Sequence, residues 1–341
     1  MRITRGGTKL LATAFAATAA AAALAACGGD DADDGSLTVY SGREEEYVGP
    51  LFDRFQEETG IELDVRYGDT AELAATLIEE GGNSPADLFF AQDAGALGAL
   101  QREALFAGLP AQTLERVPAR YRSLEGAWVG TSGRARVIGY NTESLSEAEL
   151  PASILGFTDP KWKGRIGWAP TNGSFQAFVT AMRITLGEQA TEDWLRGIVA
   201  NDPVVFSDNE QIRDAIASGE IDAGFLNHYY IAEAIAEEGP GYPVRAYSPP
   251  GDVGSLINVA GIGVLESSDG KDEAERFTDF VLSDPEQEYF AEVVKEYPLV
   301  PGIPADPQVT PLAEIEQPDV ALGELGDLEA TLELLQRSGA L

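Results

Sequence analysis

From Leu37 onward the chain alternates short apolar runs with amphipathic ones, and this strand-then-helix rhythm restricts it to α/β layers built around mostly parallel sheet. A strand is predicted over 37–40 and a helix over 50–58, with Leu51, Phe52 and Phe55 on one face and Gly60 placed to end it. Residues 61–67 alternate apolar and polar, which predicts a second strand. The rhythm continues with a helix over 71–80, a strand over 86–91 and a helix over 94–103. Further strands are predicted over 136–140, 165–168, 222–226 and 257–264, and further helices over 175–184, 192–197, 210–218 and 228–237. About three hundred residues exceed what one hydrophobic core usually serves, yet no repeat or low-complexity linker divides them. Strands that cross between two lobes, with a ligand cleft between the lobes, reconcile those two facts.

The N-terminus reads differently. Arg2, Arg5 and Lys9 precede an alanine-rich apolar run and then Leu24-Ala25-Ala26-Cys27. The run is too short for a membrane span, so residues 1–26 are predicted to be a signal peptide, with Cys27 as the site of lipid attachment. Residues 27–35 are small and acidic and suit a flexible tether. Cys27 is the only cysteine, so neither an intramolecular disulfide nor a thiolate metal cluster is available to the folded part. The formal charge is −34 and becomes −37 once Arg2, Arg5 and Lys9 are removed, which argues against nucleic acid as a partner. So much acid reads as a solvated surface, with a raised local cation concentration as a secondary effect.

No Walker A loop, Gly-x-Ser-x-Gly elbow or His-Glu-x-x-His helix is present, and His228 is the sole histidine. A surface lipoprotein hydrolase is therefore the last of three readings. The informative cluster is Asn227-His228-Tyr229-Tyr230, which follows an apolar strand and opens a helix. Open α/β sheets place ligands at such strand ends, and two adjacent tyrosines can converge there, although one buried and one surface tyrosine is the plainer account of the dipeptide alone.

Seven blocks, in order, resemble the ferric-ion-binding proteins of bacterial ABC transporters. They are Leu37-Thr38-Val39-Tyr40-Ser41-Gly42-Arg43, Phe55-Gln56-Glu57-Glu58-Thr59-Gly60-Ile61, Pro85-Ala86-Asp87-Leu88-Phe89, Ser132-Gly133-Arg134-Ala135-Arg136-Val137, Pro160-Lys161-Trp162-Lys163-Gly164-Arg165-Ile166-Gly167, Asn227-His228-Tyr229-Tyr230 and Glu296-Tyr297-Pro298-Leu299. The resemblance implies a two-lobed type II periplasmic-binding-protein fold with a central cleft and a two-crossover hinge. Lobe 1 is expected to comprise 36–133 plus 257–305, and lobe 2 to comprise 134–256 plus 306–341.

It also implies a cargo, Fe(III), ligated by the phenolates of Tyr229 and Tyr230. A hard trivalent cation favours anionic oxygen and can deprotonate a phenol whose ordinary pKa is about 10. Tyr140 matches a further phenolate of the tyrosine-rich branch. Where another branch has a histidine ligand this chain has Glu44, and Glu44 or its neighbour Glu45 is the expected substitute, although a helix start favours acid there in any case. Gln92 stands where that branch has a glutamate and is expected not to reach the metal directly; Tyr47 is a further candidate by proximity to Glu44. A synergistic anion, phosphate or carbonate, is implied at Asn172, Gly173 and Ser174 before a helix, with Asn209, Asn227 and Arg134 as donors. Capping is the alternative role for each asparagine. The implied partner is an ABC permease, the implied state a monomer held at the membrane by its N-terminal lipid. The competing binding reading is an anionic or small organic solute, such as a phosphonate, polyamine or sugar phosphate.

Overall fold

The structure is a computed structural model that describes residues 35–341. The expected leader 1–26, Cys27 and all but the last residue of the tether lie outside the described residues. The first half-sheet is assembled from β1 (Ser36–Ser41), α1 (Glu45–Thr59), β2 (Glu62–Tyr67), α2 (Thr70–Glu80), β3 (Leu88–Ala91), α3 (Ala94–Arg102) and the short α4 (Ala111–Leu114). Helix α1 starts five residues earlier than its apolar stripe suggests and carries Pro50 inside it, because the Glu44 carbonyl already accepts from the amides of Tyr47 and Val48. Gly60, at φ 73°, ends the helix in a left-handed turn, as its position predicts.

Strand β4 (Val129–Asn141) is buried along its whole length and leads into the second half of the sheet. After it come β5 (Ile166–Trp168), α5 (Gly173–Leu186), α6 (Glu188–Ala200), β6 (Val204–Val205), α7 (Asn209–Ser218), β7 (Ala223–Asn227), α8 (His228–Glu238) and β8 (Val244–Tyr247). The chain then returns through β9 (Ile257–Val264), α9 (Lys271–Val281), α10 (Asp284–Glu292) and β10 (Tyr297–Pro298), and ends in α11 (Leu328–Ser338).

The sheet order is β2-β1-β3-β9-β4-β7-β5-β6, with β8 and β10 also pairing to β4. Its outer pairs are parallel and the central ones antiparallel. Strand β4 changes partners partway: up to Ala135 it pairs with β9 and β10, and from Arg136 with β7 and β8. At the point of change the Arg136 amide donates to the Leu256 carbonyl at 2.8 Å, so the two chain crossings are bonded to one another. The exchange falls between Ala135 and Arg136, and the returning strand begins at Ile257.

Separate aromatic clusters fill the two halves. Phe52, Phe55, Phe90 and Phe277 pack under the first, and Phe157, Trp162, Phe175, Trp194 and Phe225 under the second. Trp162 and Trp168 are core residues, each 1% exposed. The C-terminal segment then runs back over α3, where Gly95 and Gly98 let the turn at 322–326 pack backbone to backbone, and delivers α11 onto α5 and α6. Among the described residues no helix is long and apolar enough to cross a membrane.

Candidate metal centre

The site grows from the end of β7. Asn227 is the last residue of that strand and the N-cap of α8, yet its side chain does not cap the helix. Instead its Nδ2 donates to Ser174 Oγ at 3.2 Å and its Oδ1 accepts from Arg136 Nη1 at 3.3 Å. The Asn227 amide donates to Asn209 Oδ1 at 3.1 Å, and Arg136 Nη1 reaches the same oxygen at 3.2 Å. Arg136 Nη2 donates to the Phe225 carbonyl at 2.6 Å. The structure therefore brings Ser174, Asn209 and Asn227 together, as expected, and does so around an arginine that the sequence did not single out. Asn172 has the plainer role, its Oδ1 accepting from the Ser174 amide at 3.1 Å as the cap of α5, with Gly173 as the first helical residue.

Arg136 is 4% exposed, and among the described residues no carboxylate pairs with it. Burial pushes its guanidinium down to about 9, which still leaves it charged at neutral pH. Such a charge is costly unless a counter-ion arrives. Beside it is a cavity of about 10 Å³, walled by Arg134, Arg136, Ser174, Asn227 and Asn258. Arg136 Nε and Arg134 Nε are both buried there without a hydrogen bond.

Past Asn227 the first turn of α8 sends successive side chains different ways. His228 turns toward the crossover and stacks on Tyr297, with ring centroids 4.4 Å apart and planes 9° apart. Its Nδ1 accepts from the Ala135 amide at 3.1 Å, which assigns the proton to Nε2. No hydrogen bond engages Nε2, although the nearby Lys295 carbonyl favours a proton there. Tyr229 and Tyr230 point together, ring centroids 4.2 Å apart. Tyr229 is 2% exposed, and burial, reinforced by the facing Tyr230, holds its phenol well above the ordinary value. Burial raises Tyr230 as well. Both are therefore neutral phenols until a cation displaces their protons.

Beneath the pair lies a buried ionic cluster. Arg43 Nη2 approaches Glu296 Oε1 at 2.9 Å, with an angle too poor for a hydrogen bond, and both side chains are 1% exposed. Arg134 Nε lies 3.9 Å from the same oxygen, and Ser132 Oγ donates to Glu296 Oε2 at 2.5 Å. Arg134 also donates to Gln92, whose amide is best placed with its oxygen 3.1 Å from Arg134 Nη1 and its nitrogen on the Gly42 carbonyl. Gln92 thus bridges Arg134 and the Gly42 backbone.

One expected metal ligand needs correction. Tyr140 pairs across from Ala223 at the start of β7, whereas Asn227, at the other end, is opposite Arg136. Four residues of strand separate Tyr140 from Arg136, about 13 Å, so Tyr140 stands away from the tyrosine pair. Its neighbours are Arg245 across the ladder and Glu147. Glu44 is at the N-cap of α1, exposed and without an ion pair, although its charge is felt by Tyr230 and Tyr47. Glu45 occupies the first helical turn, where acid suits the helix dipole. Among the described residues no group of three or more His, Cys, Asp or Glu is placed to hold a metal ion.

Residues 83–324 match the family model described as bacterial extracellular solute-binding protein. Over 307 residues the chain is 35% identical to the major ferric iron-binding protein of Neisseria meningitidis serogroup A, covering 89% of this chain and 92% of that one. It is 32% identical to the Fe(3+)-binding periplasmic protein of Serratia marcescens over 90% of this chain and 91% of the relative. Iron-bound HitA of Pseudomonas aeruginosa superposes with a TM-score of 0.83 at 33% identity, covering 89% of this chain and 99% of that one. The fold is accordingly the type II periplasmic-binding-protein fold that the sequence blocks imply. The chain belongs to the family of bacterial extracellular solute-binding proteins.

Proposed function

We propose that this protein captures Fe(III) outside the cytoplasm and delivers it to the permease of an ABC importer. The observation that carries the reading is the Tyr229–Tyr230 pair, with rings 4.2 Å apart at the end of β7. Phenolate oxygen suits a hard trivalent cation, and no competing cluster of His, Cys, Asp or Glu occurs among the described residues. Relatives named for ferric iron support the same cargo.

A synergistic anion, phosphate or carbonate, completes the site. Ser174, Asn209, Asn227 and Arg134 support this part of the reading, and Arg136 supplies the positive charge that would otherwise lack a partner. The halves built on β1–β3 with β9 and on β5–β8 act as the two lobes, closing about the Arg136–Leu256 bond. The protein works as a monomer anchored at the outer face of the cell membrane through Cys27. Its role is capture, not catalysis.

The test is a titration of purified protein with Fe(III), in citrate and phosphate, followed by visible absorption. The expected result is a phenolate-to-iron charge-transfer band that saturates at one iron per chain and is lost in the Tyr229→Phe, Tyr230→Phe double variant. A protein that stays colourless with iron refutes the reading and turns attention to anionic or small organic solutes.

A further inference from the structure

Tyr229 and Tyr230 both come from α8, so the metal still needs a donor from the facing wall of the site. The sequence suggests Glu44 or Glu45 for that role and sets Gln92 aside. Glu44 is exposed at the helix cap, and the Gln92 oxygen is taken by Arg134. One turn further into α1 is Tyr47. Its ring meets Tyr229 edge to face, centroids 6.3 Å apart and planes 79° apart. The Arg43 guanidinium is 5.6 Å above the same ring, and the Tyr47 carbonyl accepts from the Tyr289 hydroxyl at 2.9 Å, which fixes this turn of helix in place. Among the described residues no hydrogen bond engages the Tyr47 hydroxyl. The charges of Glu233, Tyr230, Glu44 and Glu46 all act on it.

We propose that Tyr47 is a third phenolate ligand to the captured iron, supplied by α1 from across the site from Tyr229 and Tyr230. This rests on the ferric reading above and specifies its second wall. On loading, the Tyr47 O–H bond breaks, its proton leaves to solvent, and the oxygen lone pair forms a bond to iron, which remains ferric throughout. The nearby carboxylates attract that cation before any phenol has ionised. With one ligand on α1 and two on α8, iron itself becomes the bond that draws the two walls together.

The experiment compares wild type, Tyr47→Phe and Tyr140→Phe, each loaded with Fe(III), by the intensity of the charge-transfer band per bound iron. Competition with citrate then gives relative affinity. Tyr47→Phe keeps the ring and its contact with Tyr229, and an unchanged thermal midpoint of the iron-free variant confirms intact folding. The expected result for Tyr47→Phe is loss of about a third of the band per iron, a shifted maximum and removal of iron at about tenfold lower citrate. Tyr140→Phe should match wild type. A Tyr47→Phe band equal to wild type in intensity and position overturns the assignment while leaving ferric capture intact. A wild type without any band overturns both together.

Discussion

Replacing Glu296 with glutamine isolates the energetics of the cluster beneath the tyrosines. Glu296 lies between Arg43, at 2.9 Å, and Arg134, at 3.9 Å, with side-chain exposures of 1% and 2% for the two arginines and 1% for Glu296. At an effective dielectric of about 20, each contact is worth on the order of 4 kcal/mol of Coulomb energy. Desolvation of three ionised groups offsets much of that, so the intact cluster contributes little net stability. Removing only the anion differs, because it leaves two buried guanidiniums uncompensated, and such breaks cost about 3–5 kcal/mol. For a chain of this length the loss corresponds to a Tm about 6–10 °C lower, at roughly 2 °C per kcal/mol. Equilibrium urea unfolding of the iron-free protein reads the change directly, with Arg43→Met, Glu296→Met as the second arm. The double variant should be less destabilised than Glu296→Gln alone, since it removes a charge along with its partner. A Glu296→Gln midpoint within about 1 kcal/mol of wild type would refute the reasoning.

His228 gives a pH-dependent signature. Burial, with the Arg134 charge adding to it, pushes its imidazole down to about 3 from an ordinary value near 6.5. Between those values the unfolded chain binds the proton and the folded one does not, so the stability contribution is complete above pH 6.5 and is lost on descent toward pH 3. The unfolding free energy of wild type should fall more steeply across that window than that of His228→Asn, and parallel profiles would contradict the assignment. At the back of the molecule, a Cβ on Gly98 would lie 2.0 Å from the Gly323 carbonyl oxygen, whereas one on Gly49 would find nothing nearer than 3.4 Å. Gly98→Ala should therefore lose about 1–3 kcal/mol by forcing the strap off α3, and Gly49→Ala should gain about 0.5–1 kcal/mol of helix propensity. Thermal melts of the two variants moving in the same direction would refute this.

Hydrophobic rhythm carried most of the fold. Helices over 71–80, 94–103 and 210–218 match α2, α3 and α7 to within a residue or two, because each pairs an apolar stripe with a clear stop. Helix α6 extends beyond its predicted 192–197 in both directions, its polar first turn at 188–191 giving no apolar signal and its apolar end at 198–200 lying past Gly197, which reads as a stop. The tyrosine pair drew notice because it follows an apolar strand directly, but its expected role, like those of Asn209 and Asn227, came from the resemblance to the ferric-ion-binding proteins. Tyr140 misled because sequence does not reveal strand direction: β4 runs antiparallel to β7 and carries Tyr140 away from the end where α8 begins. Arg136 and Glu296 were invisible as site residues for a related reason. Their importance comes from burial and from partners on remote segments, and neither property leaves a local pattern.

The path of β9 bears on when the chain can fold at all. It sits between β3 and β4 in the sheet order, although it is made of residues 257–264. No N-terminal fragment ending before that stretch can complete the first half-sheet, whatever its own propensities, because Phe90 and Val129 find a common neighbour only in Ile262. Contacts of such long sequence separation slow folding and leave the edges of β3 and β4 open in the meantime. A chain that crosses a membrane N-terminus first would hold those edges unpaired, and open to aggregation, until about three quarters of its length had emerged.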